Sequence, residues 1–215
     1  MRKNIILYAP PAAGKGTICE DLQKVYGYEV ISIGQVLRNA RDPKTEVGQK
    51  IITCQDQGIL VPDDIVGIAL QAELKKFQDK PFVLDGYPRN IDQAHVLDNI
   101  LTNYIVINLN VDRELAGKRT LGRATCTGCG KIYNIYFEEK KPKQEGICDV
   151  CNSTLDVRQD DNANAFKVRF DIYENNAPEI LDYFEKKGVL YKVDAGHSSE
   201  VTRQQVDKIL EEGNE

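Results

Sequence analysis

The residues Asn4-Ile5-Ile6-Leu7-Tyr8-Ala9-Pro10-Pro11-Ala12-Ala13-Gly14-Lys15-Gly16-Thr17 decide the reading of this chain. Asn4–Tyr8 is a short apolar run of the kind that forms a buried strand. Small residues and a lysine follow, and Gly16–Tyr26 then reads as a helix. A strand, a small-residue loop with a lysine and a helix are the parts of a phosphate-binding loop. Backbone N–H groups at the helix N-terminus face the anion, the helix dipole favours it, and Lys15 reaches the β- and γ-phosphates. Two positions depart from the usual pattern: Ala9 stands at its first glycine, and Gly16 separates Lys15 from Thr17. The competing reading is an ordinary strand-to-helix turn.

Working outward, Glu29–Ser32, Pro81–Leu84, Tyr104–Leu109 and Val189–Val193 are further short runs rich in Ile and Val. Helical patterns separate them: Asp63–Phe77, with Asp63 or Asp64 as cap; Asp112–Leu121; Asn162–Lys187, which Pro178 is expected to kink or break; and Thr202–Glu211. Strands alternating with helices predict an α/β fold around a parallel sheet covered on both faces. Two stretches interrupt the rhythm and read as insertions. Residues 33–61 are helical but broken at Asp42-Pro43 and Gly58, and residues 124–160 hold cysteine pairs and short β-like pieces. The last residues, Glu211–Glu215, are expected to fray.

The formal net charge of −5 gives no footprint for nucleic acid, and no apolar run is long enough to span a bilayer. Pro10, Pro11 and Lys15 cut the first apolar run too short for an export signal, so a reducing, cytoplasmic setting is expected. Six cysteines in that setting point to metal before disulfides. Cys126-x₂-Cys129 and Cys148-x₂-Cys151 are separated by eighteen residues, the spacing of a closed four-thiolate zinc site, with iron as the alternative metal. Four protein ligands leave no open position, so the metal's role is structural. Cys19 and Cys54 read as packing residues, and His95 and His197 as surface histidines.

Taken together, these segments resemble the adenylate kinase family, in its long-lid, zinc-binding type. Ala9–Thr17 aligns without a gap with that family's Gly-Ala-Pro-Gly-Ala-Gly-Lys-Gly-Thr loop. Ser32–Arg38 and Gly58–Asp63 look like the two ends of its AMP-binding insertion, and Phe82–Arg89 with Gln93 like its Asp-Gly-Phe-Pro-Arg strand end. Arg119 and Arg123 sit where the hinge arginines belong, and Arg158-Gln159-Asp160-Asp161 with Arg169 matches the far side of the lid.

The resemblance implies a P-loop-type five-stranded parallel sheet sandwiched by helices, with a helical NMP-binding insertion and a small zinc-containing β lid. It implies a core of residues 1–31, 62–123 and 162–215, an insertion at 32–61 and a lid at 124–161. The implied reaction is reversible, magnesium-dependent transfer, ATP + AMP = 2 ADP, with the lid closing over ATP. Lys15, Arg89, Arg123, Arg158 and Arg169 would be catalytic. Ala12, Ala13, Gly14, Lys15, Gly16, Thr17, Arg119, Arg123, Ile132 and Tyr133 would meet ATP. Ile33, Arg38, Ile59, Leu60, Val61, Gly86, Tyr87, Pro88, Arg89, Gln93, Arg158 and Arg169 would meet AMP.

Asp85 would hold Mg²⁺ through water, and Cys126, Cys129, Cys148 and Cys151 would hold structural Zn²⁺. The partners implied are ATP, AMP and ADP, with neither nucleic acid nor membrane, and a monomer is the default. Four positions depart from the family: Ala9, Ala12, Ile33 (usually threonine) and Gln35 (usually aspartate). They predict weaker turnover or a changed acceptor preference. A kinase for another nucleotide pair, and a nucleotide- and zinc-binding regulatory protein of weakened catalysis, stay as alternatives.

Overall fold

The computed structural model describes residues 2–77 and 80–212. The chain begins β1 (Asn4–Tyr8), α1 (Lys15–Tyr26), β2 (Glu29–Ser32), α2 (Ile33–Asn39), α3 (Glu46–Gln57) and α4 (Asp63–Leu74). It continues β3 (Phe82–Asp85), α5 (Ile91–Ile100), β4 (Tyr104–Asn110), α6 (Arg113–Leu121), β5 (Arg123–Cys126), β6 (Ile132–Asn134) and β7 (Leu155–Asp156). It ends α7 (Ala163–Lys186), β8 (Leu190–Asp194) and α8 (Ser199–Glu212).

Five strands form one parallel sheet in the order β2-β3-β1-β4-β8. The alternation of side chains along β1 explains why both faces are covered. Ile5 and Leu7 enter one apolar cluster with Ile18 and Leu22 of α1 and Val206 and Leu210 of α8. Ile6 and Tyr8 enter the other, with Leu70 of α4, Leu97 of α5 and Phe184 of α7. A strand buried on both sides must be apolar at every position, which is why these runs read as continuous rather than alternating. The long helix α7 serves both clusters: Phe166 and Phe170 belong to the first, Ala177, Ile180 and Phe184 to the second.

The central strand β1 is flanked by β3 and β4, one reached by the chain before the other. Such a switch in strand order leaves a crevice at the carboxyl edge of a parallel sheet, where loops diverge to the two faces. The loop after β1 and the loop after β3 both leave from that edge.

Two segments, residues 33–61 and 124–160, stand outside the five-stranded sheet. In the first, Thr45 caps α3 by accepting a hydrogen bond from Gly48 N at 3.0 Å. Helix α3 ends at Gly58, which has φ +75°. A Cβ there would lie 2.5 Å from the Ala165 carbonyl oxygen, so α3 seats against the first turn of α7 through backbone. In the second, β5 pairs antiparallel with β6 on one side and β7 on the other, a small sheet of its own.

Three expectations are corrected. Helix α7 is not broken at Pro178, which sits exposed; the hydrogen bond that proline cannot make is lost on the solvent side. Pro62, not Asp63 or Asp64, is the cap residue of α4, and Asp63 faces other partners described below. Glu211 and Glu212 complete α8 instead of fraying, while residues 213–215 lie outside the described residues.

Gly58→Ala is expected to destabilise the fold by about 2–3 kcal/mol, roughly 4–10 °C in Tm, because it combines a left-handed φ with a backbone clash. A thermal melt of the variant checks this; an unchanged Tm would mean that α3 does not seat on α7 as described.

Candidate active site

The loop between β1 and α1 is shaped by two left-handed residues. Gly14, at φ +91°, turns the chain into α1, so that the helix N-terminus opens toward the crevice. Ala12 lies at φ +56°, a conformation that costs a residue with a Cβ roughly 1–2 kcal/mol. Ala9 is not left-handed, so of the two alanines in place of glycine only Ala12 carries strain. Lys15 Nζ donates to the loop carbonyls of Pro10 at 3.2 Å and Ala9 at 3.5 Å. Burial lowers the Lys15 pKa, and the Asp85 carboxylate opposes that effect.

One cavity of about 590 Å³ is lined by this loop and by Arg38, Arg89, Arg119, Arg123, Arg158 and Arg169. The arginines come from α2, the loop after β3, α6, the start of β5, the loop before α7, and α7 itself. Burial lowers the pKa of Arg38, and the neighbouring Arg158 lowers it further. Arg158 is lowered by burial and then by Arg123. These cations are close enough to repel one another, as charges placed to share an anion must be.

Most are held in place. Arg123 makes a two-pronged pair with buried Asp161, at 2.8 and 2.6 Å. Arg169 donates to Asp160 at 2.6 Å and to the Gln55 carbonyl at 3.0 Å. Burial pushes Asp160 up, but Arg169 outweighs it and holds the carboxyl below its ordinary range. Arg89 Nε donates to the Gly86 carbonyl at 2.9 Å. Arg38 gives Nε and one terminal nitrogen to Gln35 Oε1, both at 3.1 Å. Among the described residues Arg158 has no ion pair or hydrogen-bond partner for its side chain. Arg119 donates to the carbonyls of Ala195 and His197, at 2.8 and 3.0 Å, and so ties the loop after β8 to the cavity wall.

Several expected residues line this cavity: Ala12 to Thr17, Ile59, Leu60, Val61, Gly86, Pro88 and Ile132. Ile33 and Gln93 line a small side pocket next to it, with Val61, Gly86 and Arg89. Two side chains expected at the nucleotide are elsewhere. Tyr87 is buried in the core cluster with Ala94 and Leu97. Tyr133 is buried beneath the cysteine cluster. Alternation along β6 explains the second: exposed Ile132 faces the cavity, so Tyr133 must face the other way. The pairing roles of Asp160 and Asp161 were missed, although both stand in the quoted Arg158–Asp161 stretch; a carboxylate next to an arginine motif is the signal that was available. Gln55, whose Oε1 is buried without a partner, was also missed, and nothing local in α3 marks it.

The donor sets fit both implied metals. Asp85 accepts from Ser32 Oγ through Oδ2 at 3.1 Å, while its Oδ1 is buried with no partner. A buried carboxylate oxygen at the cavity wall with nothing to accept from suits a water of a hydrated magnesium ion. Gln35 is turned to Arg38 and Asn39.

In the lid, the four Sγ atoms of Cys126, Cys129, Cys148 and Cys151 lie within 4.8 Å of one another, and all the cysteines are unpaired. The contacts Cys126–Cys151 at 3.3 Å and Cys129–Cys148 at 3.6 Å are far beyond a disulfide bond of about 2.05 Å. They approach the edge of a tetrahedron of sulfurs each about 2.3 Å from zinc. Backbone N–H groups of Gly128 and Cys129 point at Cys126 Sγ, and that of Val150 at Cys148 Sγ, at 3.3 to 3.4 Å. Such donors favour thiolate over thiol. The Tyr133 hydroxyl draws the Cys148 pKa down to about 6 against burial.

Comparison with known proteins completes the picture. A profile of the adenylate kinase family matches residues 7–189. An adenylate kinase of Archaeoglobus fulgidus is 37% identical over 214 residues, covering 97% of this chain and 98% of its own. One from Treponema denticola is 40% identical over 199 residues, covering 92% and 94%, and one from Rickettsia rickettsii 36% over 209, covering 96% and 98%.

Cys148→Ser is expected to remove bound zinc, measured as metal per chain by mass spectrometry, and to expose residues 124–160 to protease while the core stays folded. Full zinc retention in that variant would exclude the four-thiolate site.

Proposed function

The chain belongs to the adenylate kinase family and is a phosphotransferase, and from that premise we propose that it catalyses ATP + AMP = 2 ADP with magnesium. The observation that carries the proposal is the cavity itself: Lys15, Arg38, Arg89, Arg123, Arg158 and Arg169, from separate segments, face one space. Phosphoryl transfer spreads negative charge over the moving group, and fixed cations around it stabilise that charge without reorganising. The AMP phosphate is itself a nucleophile, so no catalytic base is required. This agrees with the surroundings of the histidines: His95 meets Tyr183 edge to face, and His197 is an exposed residue beside Asp194.

In this reading Arg38 and Arg89 hold the AMP phosphate. Their guanidinium nitrogens lie together, 3.6 to 3.9 Å from where a Cβ on Gly34 would stand. The phosphate loop and Lys15 hold the ATP phosphates, and Arg123, Arg158 and Arg169 clamp the group in transfer. Asp85 orients the hydrated magnesium ion, which when bound supplies positive charge to the β- and γ-phosphates. Cys126, Cys129, Cys148 and Cys151 hold zinc in the lid, residues 124–161, which closes over ATP and excludes water that would hydrolyse it. Residues 32–61 form the AMP-binding insertion, and the rest is core. A cytoplasmic monomer completes the proposal.

Incubation with ADP and Mg²⁺ is expected to yield ATP and AMP in equal amounts. Lys15→Ala and Arg89→Ala are each expected to slow this by about a hundredfold or more; unchanged rates would overturn the proposal. The strained Ala12 and the uncharged Gln35 are the departures that the structure leaves open to gain. Ala12→Gly combined with Gln35→Asp is expected to raise kcat severalfold, whereas Ile33, fully buried among Leu37 and Val61, offers no such gain.

A further inference from the structure

Gln93 is almost fully buried at the wall of the side pocket formed by Ile33, Leu60, Val61, Val66 and Gly86. Both ends of its amide are held by partners of fixed sense. The backbone N–H of Arg89 can only donate, and it gives to Gln93 Oε1 at 2.7 Å. The carboxylate of Asp63 can only accept, and it receives from Gln93 Nε2 at 2.6 Å. The carboxylate is itself anchored, since Asn90 Nδ2 donates to Asp63 Oδ2 at 3.1 Å. Asn90 in turn is fixed as the cap of α5, accepting from Gln93 N at 2.8 Å.

A primary amide has nearly the same shape after a half turn about its last bond, but donor and acceptor change places. Here a half turn would set Oε1 against a carboxylate and the NH₂ group against an N–H. Both contacts would be repulsive in a nearly dry site, where such mismatches cost most. The amide is therefore locked, with one N–H and one lone pair left over for a ligand.

We propose that Asp63 is a positioning residue for acceptor specificity: by locking the Gln93 amide it makes the acceptor site take a 6-aminopurine and reject a 6-oxopurine. The proposal rests on AMP being the acceptor. The two bases are nearly isosteric but opposite in sense. A 6-aminopurine accepts at N1 and donates from its amino group, while a 6-oxopurine donates from N1 and accepts at its oxygen. A freely turning glutamine would serve both, and a locked one serves one. Discrimination of this kind can be large, because the rejected base leaves buried polar groups facing their like.

The test measures kcat/KM for AMP and for inosine monophosphate, with ATP and Mg²⁺ saturating, in the unaltered protein, Asp63→Asn and Asp63→Glu. An asparagine amide both donates and accepts, so it lets Gln93 turn. Asp63→Asn is expected to raise the inosine-to-adenosine ratio about tenfold or more, mainly through KM. Asp63→Glu keeps an acceptor-only partner and is expected to keep the ratio of the unaltered protein. A ratio for Asp63→Asn within about twofold of the unaltered protein, in a variant of normal Tm that still uses AMP, would overturn the proposal. Asp63→Thr, whose hydroxyl also donates and accepts, carries the same test if Asp63→Asn does not fold. Failure of the unaltered protein to use AMP at all is separately visible and would count against the reaction assigned above, not against the lock alone.

Discussion

Like charges gathered in one place are the constraint on which this structure turns. Lys15 and the arginines at 38, 89, 119, 123, 158 and 169 face a single cavity, against the four carboxylates of Glu20, Asp85, Asp160 and Asp161 along its wall. Unopposed, such a group would spread into solvent. It stays together because its members leave different segments of the fold, and because Asp160 and Asp161, both buried, fasten Arg169 and Arg123. The positive charge left over is what makes the cavity a receptor for phosphates.

The sheet explains how separate segments reach one point. With β1 between β3 and β4, the loops after β1 and β3 leave from the same edge, and residues 33–61 and 124–160 both contribute to the cavity wall. Helix α7 then joins the parts. It packs in both core clusters, carries Arg169, and contacts the first insertion through that residue's bond to the Gln55 carbonyl. The lid depends on the core far less. Its apolar interior is little more than Cys126, Tyr133, Cys148 and Leu155, too small to fold by burial alone, which is why four thiolates and a metal fit there.

Features written in contiguous residues were legible before any coordinates. The loop around Lys15, the cysteine pairs, and the apolar strands each announce themselves within about a dozen residues, because period and spacing carry them. Features made by distant partners were not. Nothing near Asp63 says that its carboxylate meets Gln93 thirty residues on. Nothing in α6 says that Arg119 will meet the carbonyls of Ala195 and His197. The placement of Tyr133 was within reach, since strand alternation sends neighbours to opposite faces, but that needs the strand's register to be known. Pro178 does not break α7; the rule against proline in helices says nothing about which side of the helix faces water. The sign of φ at Ala12 lies outside what residue type reveals; a Cβ disfavours the left-handed region, yet Ala12 occupies it.

The seat of Gly58 on Ala165 has a bearing on how such a protein can change over generations. The close approach is to main-chain atoms, so no choice of residue at 165 relieves it. Loops that touch substrate can drift toward new ligands, one side chain at a time. Position 58 has no such freedom while α7 keeps its place, whatever the enzyme comes to phosphorylate.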